Sequence, residues 1–343
     1  MKISLPKLFF ILVLISCFIF FIRPIGDPDF WWHIKTGELI LKTHTIPNAD
    51  QYSFTATGTP WVAHEWLSEV ILFSTYRVGG IVLTQIIFTF LSLSAFGLSI
   101  ASTVDKSNLY AMGGSFFLGY LLSTPVLWAR PQIFSFLNFG LFFFLLHRFK
   151  QSEKIKYIVP IPFLMIFWVN MHGSFILGLG LIGIFLSGNI IEKSILKYKS
   201  ALKGQRLFSK YALVLGCLLV ISFLVSLINP NGSKIVLYPF QTINDSSIQS
   251  YIQEWASPNF HEPTWIPLVV MFIALIGFSL RSNKTYSITE ILLIIVFGYL
   301  ALSAVKHVMY FAIVSIPVLS DLISEAFPYK KKVQKKTIPT LVI

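Results

Sequence analysis

Charged residues are scarce in this chain of 343 residues: Asp, Glu, Lys and Arg make up 12% of it, while apolar residues make up 55%. So little charge cannot cover the surface of a water-soluble protein of this length, which excludes a soluble globular domain. Cysteine is also rare. Cys17 and Cys217 both fall inside apolar runs without metal-ligand spacing, so they indicate packing residues and neither a disulfide framework nor a cysteine metal site.

Several sequence motifs are absent too. There is no Ser-His-Asp order, no Gly-rich phosphate loop and no dinucleotide fingerprint. His64-Glu65 begins like a zinc-protease motif, but the position four residues after His64 is Ser68, so we discard that interpretation. These absences disfavour ATP or a soluble nucleotide-sugar as the direct substrate.

Long apolar runs are plentiful. Each is long enough to cross a bilayer as a helix, which takes roughly 17–25 residues. The runs lie at about 7–25, 80–103, 108–126, 131–149, 155–171, 173–191, 211–228, 264–280, 288–304 and 307–326. We therefore predict an all-α fold: a polytopic membrane bundle of about ten transmembrane helices, forming one integral membrane domain over 1–343.

The distribution of Lys and Arg predicts the orientation of this bundle. If the first run starts in the cytoplasm as an uncleaved anchor and the ten crossings alternate, 20 of the 27 Lys and Arg fall on the cytoplasmic side. Both termini are then cytoplasmic, with a basic tail at 327–343. The net charge of +12 reflects topology and contact with anionic lipid, and requires no nucleic-acid partner.

Two longer outer segments follow from this topology, at 26–78 and 229–263. In the first, we expect interfacial helices at 30–42, capped by Asp29, and at about 64–77, with a short hairpin pairing 52–56 with 61–63 between them. Gly79-Gly80 then leads into the second crossing.

Unusual chemistry is concentrated directly after the first apolar run. The segment there reads Asp27-Pro28-Asp29-Phe30-Trp31-Trp32-His33. Carboxylates two apart can bind a divalent cation, or can orient an acceptor hydroxyl and take its proton, so Asp27 and Asp29 are the candidate catalytic residues and candidate metal ligands. The alternative is that Asp29 only caps a helix, but carboxylates close to hydrocarbon are costly to keep without a role.

Other polar groups fall at the same outer helix ends. Arg130, Lys306 and His307 are candidates for holding a phosphate, with snorkelling to lipid headgroups as the alternative. The remaining candidates for substrate binding are Trp31, Trp32, His33, His64, Glu65, His172, Glu254 and Trp255. For the histidines, the alternative is simple hydrogen bonding at the interface, and for Glu254 a solvated loop.

All eight tryptophans map to the outer half, which an aromatic belt at both interfaces does not explain. A sugar face or a prenyl chain lying on indoles would explain it. The residues that fit a family pattern are the 27–33 segment, Gly37, Ile46-Pro47, Asp50, Ser53-Phe54, Gly58, Pro60-Trp61, His64-Glu65-Trp66-Leu67, Glu69, Arg130-Pro131-Gln132, Asn170, His172-Gly173, Asn229-Pro230, Glu254-Trp255, Ser257-Pro258 and His307.

In these residues the chain resembles the GT-C class of polytopic glycosyltransferases, and within it a large group of bacterial membrane proteins with the DPDxWWH run. The resemblance extends over about 27–310, and Lys306 stands where the pattern has Arg. It implies transfer of a hexosyl or pentosyl group from a polyprenyl-phosphate sugar, with the Asp after the first crossing as base or metal ligand.

The sequence thus leads to three hypotheses. The first is an inverting cell-envelope glycosyltransferase that acts at the outer face on an acceptor hydroxyl of unknown identity; it can use Mg²⁺ or Mn²⁺ but does not require either. The second is a transporter or flippase of a lipid-linked or small polar substrate, although no inverted repeat and no charge in the middle of a crossing supports it. The third is a non-catalytic membrane assembly subunit.

Overall fold

The computed structural model describes residues 3–22, 25–103, 107–198, 209–244 and 251–329. These residues form an all-helical fold with one isolated β-bridge and no β-strand. The helices are α1 (Leu5–Phe21), α2 (Asp29–Thr43), α3 (Trp66–Ala101), α4 (Leu109–Ser123), α5 (Gln132–Ser152), α6 (Pro160–Met171), α7 (Ile176–Tyr198), α8 (Lys210–Val225), α9 (Lys234–Asn244), α10 (Ile266–Arg281), α11 (Ile288–Ser303) and α12 (Val308–Ala326). The predicted helical fold class is confirmed.

Each of the ten apolar runs contains one of these helices. In the described part of the chain, five helical segments are long and apolar enough to cross a membrane, which indicates a membrane protein. They are Trp66–Ala101, Gln132–Ser152, Gly173–Leu196, Pro263–Arg281 and Val305–Ala326. Shorter apolar helices occupy Leu5–Phe21, Ile155–Met171, Lys210–Val225 and Ile288–Ser303.

Side-chain caps fix where several helices begin. The Asn108 side chain accepts hydrogen bonds from the first backbone amides of α4, and Ser209 does the same for α8. Ser287 and Glu290 form a reciprocal capping box at the start of α11. Such caps satisfy backbone donors that have no partner within the helix, which matters most where water is scarce.

Helix α12 lies at the centre of the bundle. Nearly all its residues from Val308 to Leu322 are buried, on every side of the helix, and a helix buried all round must be surrounded by others. Glycines allow close approach: a Cβ at Gly119 of α4 would lie 2.5 Å from the Ile316 side chain, and one at Gly140 of α5 would lie 2.8 Å from the Ala95 carbonyl oxygen. Small residues at helix contacts are typical of membrane bundles.

Contacts between loops fall into two groups, at opposite ends of the bundle. One group joins the ends of α3, α5, α10, α11 and α12, through Thr103 with Asp321, Lys150 with Ser287, and Ser282 with Glu325. The other group joins the segments 25–29, 64–66, 126–132, 170–174, 226–229, 253–257 and 303–307. The candidate site residues belong to these segments, except Trp31, Trp32 and His33, which lie at the start of α2 directly after the segment 25–29.

Helix α3 contains a sharp break, as the two glycines predict. Gly79 and Gly80 have non-helical backbone angles, and Gly80 has φ +60° with ψ −154°, a region essentially restricted to glycine. Glu69 and Phe73, before the break, lie against Gly37 of α2. Phe88 and Ala95, after the break, contact Phe134 and Gly140 of α5.

The predicted hairpin between 52–56 and 61–63 is wrong. The backbone pairs Asn48 and Asp50 with Trp61 and Thr59, around a bridge between Ala49 and Pro60. The residues between them form turns. The Asp50 carboxylate stabilises these turns by accepting hydrogen bonds from the Tyr52 and Ser53 amides at 2.7 and 3.0 Å. Such carboxylate-to-amide bonds compete with strand pairing.

The second long segment contains α9, which the sequence analysis did not predict, and ends in short turns before α10. Most of the predicted basic tail, residues 330–343, and most of the basic stretch after α7, residues 199–208, lie outside the described residues.

Candidate functional site

The Arg130 guanidinium is the centre of the candidate site. Arg130 lies in the tight turn between α4 and α5, whose backbone turns so sharply that its amide bonds back to the Trp128 carbonyl at 2.9 Å. Nη1 donates to Asp27 at 2.9 Å and to Asp29 at 3.1 Å. Nη2 donates to Glu254 and, at 2.9 Å, to Gln132. We call Arg130, Asp27, Asp29 and Glu254 the arginine cluster.

The two aspartates have different surroundings. Asp27 is 9% exposed, with Oδ1 accepting the Asp29 amide at 3.0 Å and Oδ2 bound to Arg130. Asp29 is 47% exposed, and its Oδ1 accepts the Trp32 indole N–H at 3.1 Å. Asp29 therefore has a solvent-facing carboxylate, whereas both carboxylate oxygens of Asp27 bond to neighbouring groups of the protein.

The predicted cap is shifted by one residue. Pro28 adopts a helical conformation and precedes the helix, and Asp29 is the first residue of the helix. The carboxylates still converge, because both accept from the same guanidinium nitrogen. An acidic residue in the first turn also complements the helix dipole.

Lys306 and Trp255 complete this side of the site. The turn containing Trp255 is joined to the turn containing Lys306 by the Val305 amide, which donates to the Ala256 carbonyl at 3.0 Å. The Lys306 ammonium lies over the Trp255 indole ring, a cation–π contact. His307 is close by, and its buried Nδ1 makes no hydrogen bond to the described residues.

A second group of polar residues lies beside the arginine cluster. His33 Nδ1 is 3.0 Å from Glu69 Oε1 and 3.6 Å from Glu65 Oε2. His172 Nε2 is 3.1 Å from Glu65 Oε1. We call His33, Glu65, Glu69 and His172 the histidine–glutamate cluster. Trp32 joins the two clusters, because its ring packs on the His33 ring at 3.6 Å between centroids while its N–H binds Asp29.

Helix packing places these residues together. Gly37 lies so close to α3 that a Cβ there would be 2.1 Å from the Glu69 carbonyl oxygen, which brings His33 over the first turn of α3. The Trp66 indole donates to Asn170 at 2.9 Å and the Ser68 hydroxyl to the Met171 carbonyl at 2.7 Å, which brings His172 alongside.

Burial shifts the pKa values of these groups. Burial lowers the pKa of His33 and of His172 well below the usual value, and nearby positive charge on Arg130 lowers both further. Burial lowers the pKa of His64 to about 4. Burial raises the pKa of Glu65 to about 8, with Arg130 opposing the shift. At neutral pH the three imidazoles are therefore uncharged and able to act as ligands or hydrogen-bond partners.

Arg130 behaves differently. Burial disfavours its charge, but the carboxylates of Glu254, Asp27 and Asp29 outweigh burial and raise the pKa of the guanidinium. The cation at the centre of the arginine cluster is thus permanently charged.

Most of the predicted site residues meet here. Asp27, Asp29, Trp32, His33, Arg130 and Glu254 are in direct contact in one chain of interactions. Trp31 is the exception: it is 49% exposed and packs edge-on against Phe30 and Tyr76, on another side of α2. His64 stacks on Tyr238 with ring centroids 4.3 Å apart, a contact that the sequence did not suggest.

Glu69 is the residue that sequence reasoning missed as a site residue. It lies four positions after Glu65, a spacing that places two carboxyls on one face of a helix, and this was the available signal. A second group of possible metal ligands lies apart from the two aspartates. Asp27 and Asp29 share a guanidinium, whereas His33, Glu65 and Glu69 offer ligand atoms within 4.8 Å of one another.

Comparison with known proteins adds no family assignment. No protein-family model matches the chain, and no curated protein matches it. The function must therefore be argued from the site itself.

Proposed function

We propose that this protein is an inverting membrane glycosyltransferase that moves a sugar from a polyprenyl-phosphate donor to an acceptor hydroxyl. In this proposal ten helices cross the membrane, both termini are cytoplasmic, and the arginine cluster faces the outside. The observation that carries the proposal is the convergence of Asp27, Asp29 and Glu254 on Arg130, next to Lys306.

The grouping of the loops supports the ten crossings. Ten apolar helices that alternate in direction bring every second connection to the same end, and the two groups of loop contacts have this arrangement. The end without the arginine cluster includes Arg148, Lys150, Lys154, Lys156 and Lys284. An excess of Lys and Arg is typical of cytoplasmic loops.

Asp29 is the proposed general base. It has the exposed carboxylate needed to reach an acceptor, and Trp32 and Arg130 fix its orientation. In the reaction, the acceptor hydroxyl gives its proton to Asp29 while its oxygen attacks the anomeric carbon. The bond from that carbon to the phosphate oxygen breaks, and the electron pair leaves with the lipid phosphate. Direct displacement of this kind inverts the anomeric centre.

Arg130 and Lys306 are the proposed phosphate ligands. Asp29 is kept as the base and Asp27 is nearly buried, so Glu254, which is 31% exposed, is the Arg130 partner that we expect an incoming phosphate to displace. A fixed guanidinium near the leaving oxygen would stabilise the charge that develops there, because it needs no reorganisation during the reaction. Asp27, nearly buried, is a positioning residue for Arg130.

We place the start of the prenyl chain at a small, mostly apolar pocket beside Asp27. The pocket is lined by Phe21, Ile25, Leu127 and Trp128, together with Asp27 itself. Phe21 ends α1, so the pocket lies where a lipid in the outer leaflet would approach the site laterally. Trp32 and Trp255 would then face the sugar, since indoles are suited to stacking on sugar rings.

The decisive experiment uses purified full-length protein and short-chain polyprenyl-phosphate sugars with a radiolabelled hexose or pentose. We expect the wild type to consume at least one donor when supplied with envelope-derived acceptors. Asp29→Asn should lower turnover by about 10²–10⁴-fold, the contribution typical of a positioned general base. Glu38→Gln is the matched control, because Glu38 is also an acid of α2 but pairs only with Lys35 and Lys42 at the surface.

Failure would take recognisable forms. If no donor in the panel is consumed, or if Asp29→Asn retains activity within about threefold of the control, the glycosyltransferase proposal is wrong. Movement of the labelled lipid across sealed vesicles without cleavage would favour a transporter. A stable complex with other envelope proteins in the absence of both activities would favour an assembly subunit.

A further inference from the structure

We infer that His33, Glu65 and Glu69 bind a divalent first-row transition metal ion that joins α2 to the start of α3. This site is separate from the Asp27–Asp29 pair, and the inference does not depend on the proposed glycosyl transfer. It rests on geometry, on an unsatisfied carboxylate oxygen and on a second layer of hydrogen bonds.

The distances fit one ion. His33 Nδ1, Glu69 Oε1 and Glu65 Oε2 are the donor atoms, with separations of 3.0 and 3.6 Å from the imidazole nitrogen to the two oxygens. Two ligands of a tetrahedral zinc ion, each about 2.1 Å from the metal, lie about 3.4 Å apart. His33 lies in α2, Glu69 lies in α3 and Glu65 immediately precedes α3, and small rotations of these side chains would bring the donor atoms to zinc-binding distances.

Glu69 has an oxygen that the protein leaves without a partner. The residue is 1% exposed, and its Oε2 makes no hydrogen bond to the described residues. Leaving a buried carboxylate oxygen unsatisfied is costly, and more so beside a second carboxyl. Glu65 is only 8% exposed. A divalent cation bound by both oxygens of Glu69 would give that oxygen a partner and would favour the ionised form of both carboxyls.

His172 supplies the second layer. Its Nδ1 accepts the Ser174 amide at 3.1 Å and lies 2.8 Å from the Ser174 hydroxyl, so the proton is on Nε2. The Nε2–H therefore donates to Glu65 Oε1 at 3.1 Å and leaves Glu65 Oε2 free for the metal. A carboxylate ligand oriented by an outer hydrogen bond is the usual arrangement around protein-bound zinc.

The donor set selects the kind of ion. One imidazole and two carboxylates suit Zn²⁺, Mn²⁺ or Fe²⁺, whereas Mg²⁺ and Ca²⁺ prefer all-oxygen sites. The ligands are nearly buried, so the ion would be shielded from bulk solvent and would fix the position of α2 relative to α3. Because Trp32 packs on His33 and binds Asp29, the ion would also hold the arginine cluster in place.

The test measures metal in the purified full-length protein, and needs no enzyme activity. The protein is incubated with Zn²⁺ or Mn²⁺, freed of loose metal and analysed by mass spectrometry, with the fold checked by monodisperse elution. We expect about one ion per chain for the wild type and for Glu38→Gln, and under about 0.2 for His33→Ala/Glu69→Gln. A chelator should lower the melting temperature of the wild type and leave that of the double variant unchanged.

Two results would overturn the inference: wild type that holds no stoichiometric ion, and a folded double variant that holds as much metal as the wild type. If the double variant does not fold, X-ray absorption of the zinc-loaded wild type decides instead. A nitrogen and oxygen shell at about 2.0–2.1 Å containing one imidazole supports the site, and any other shell contradicts it. A protein that transfers sugar without bound metal would overturn the metal site and leave the glycosyl-transfer proposal standing. The two proposals therefore fail separately.

Discussion

Arg130 donates to Asp27 at 2.9 Å across 103 residues of sequence. This ion pair joins the segment after α1 to the turn between α4 and α5, and Glu254 extends it to the segment before α10. Three parts of the chain that are distant in sequence thus depend on one guanidinium for their relative positions. Arg130 is therefore important for both stability and the proposed chemistry.

Removing the Arg130 cation should destabilise the protein severely. The Arg130 side chain is only 12% exposed. Arg130→Ala would remove this cation and leave three carboxylates facing one another. Losing one partner of a buried ion pair typically costs about 3–5 kcal/mol. The free energy of unfolding in mild detergent measures this effect. The matched control is Arg77→Ala, since Arg77 is exposed on α3, and an equal loss in both variants would contradict the central role of Arg130.

The two aspartates should separate stability from activity. Asp27→Asn should lower the free energy of unfolding more than Asp29→Asn, because Asp27 is nearly buried and Asp29 is half exposed. An exposed ion pair contributes only about 0–1 kcal/mol. Asp29→Asn should lower turnover more than Asp27→Asn does. Unfolding curves and donor turnover, measured on the same preparations, check both orders. Reversal of the stability order would contradict the anchoring role of Asp27, and reversal of the turnover order would contradict Asp29 as the base.

Gly37 should tolerate no side chain. An alanine Cβ there would approach the Glu69 carbonyl oxygen to 2.1 Å and the Phe73 Cβ to 2.7 Å, so α2 would have to move away from α3. Overpacking of this kind costs about 1–3 kcal/mol, and here it would also separate His33 from Glu69. Melting temperature and metal content should both fall.

Gly97 provides the control for that substitution. It lies in the same helix as Glu69, and a Cβ there would meet nothing within 4 Å. Gly97→Ala should be neutral or stabilising, because alanine favours helix more than glycine does. If both alanine variants melt like the wild type, the close contact of α2 with α3 is absent in solution.

Membrane topology can be checked with single cysteines. In a variant lacking Cys17 and Cys217, a cysteine at Phe54, which is fully exposed, should react with an impermeant maleimide in intact cells. A cysteine at Lys154, at the other end of the bundle, should react only after permeabilisation. The opposite pattern would place the arginine cluster on the cytoplasmic face and contradict the proposed topology.

The sequence predicted the helices well because the bilayer leaves few alternatives. Ten apolar runs correspond to ten helices, and the break at Gly79-Gly80 was visible from the two glycines alone. The hairpin failed because a single side chain, Asp50, captures two backbone amides and reshapes the loop. The alternation of residue types along a loop does not show that a side chain will compete with strand pairing for the backbone amides.

The candidate site was predicted in part for a similar reason. Clustering of Asp27, Asp29, Arg130 and Glu254 followed from placing them at the same end of alternating helices. The direct contacts among these four residues could not be predicted from the sequence, because they depend on the turns and on the rotation of each helix about its axis. Glu69 was missed because its role arises from His33 on another helix, and its own neighbours in sequence are apolar or small.

The interruption at Gly79-Gly80 affects how motion passes through α3. A continuous helix behaves as a stiff lever, so tilting its lower part in response to a change in bilayer thickness would swing Glu65 and Glu69 with it. Two glycines outside helical geometry remove that stiffness at one point. We therefore expect the two clusters to keep the same geometry in thin and thick membranes, because the break uncouples residues 66–78 from the tilt of residues 81–101.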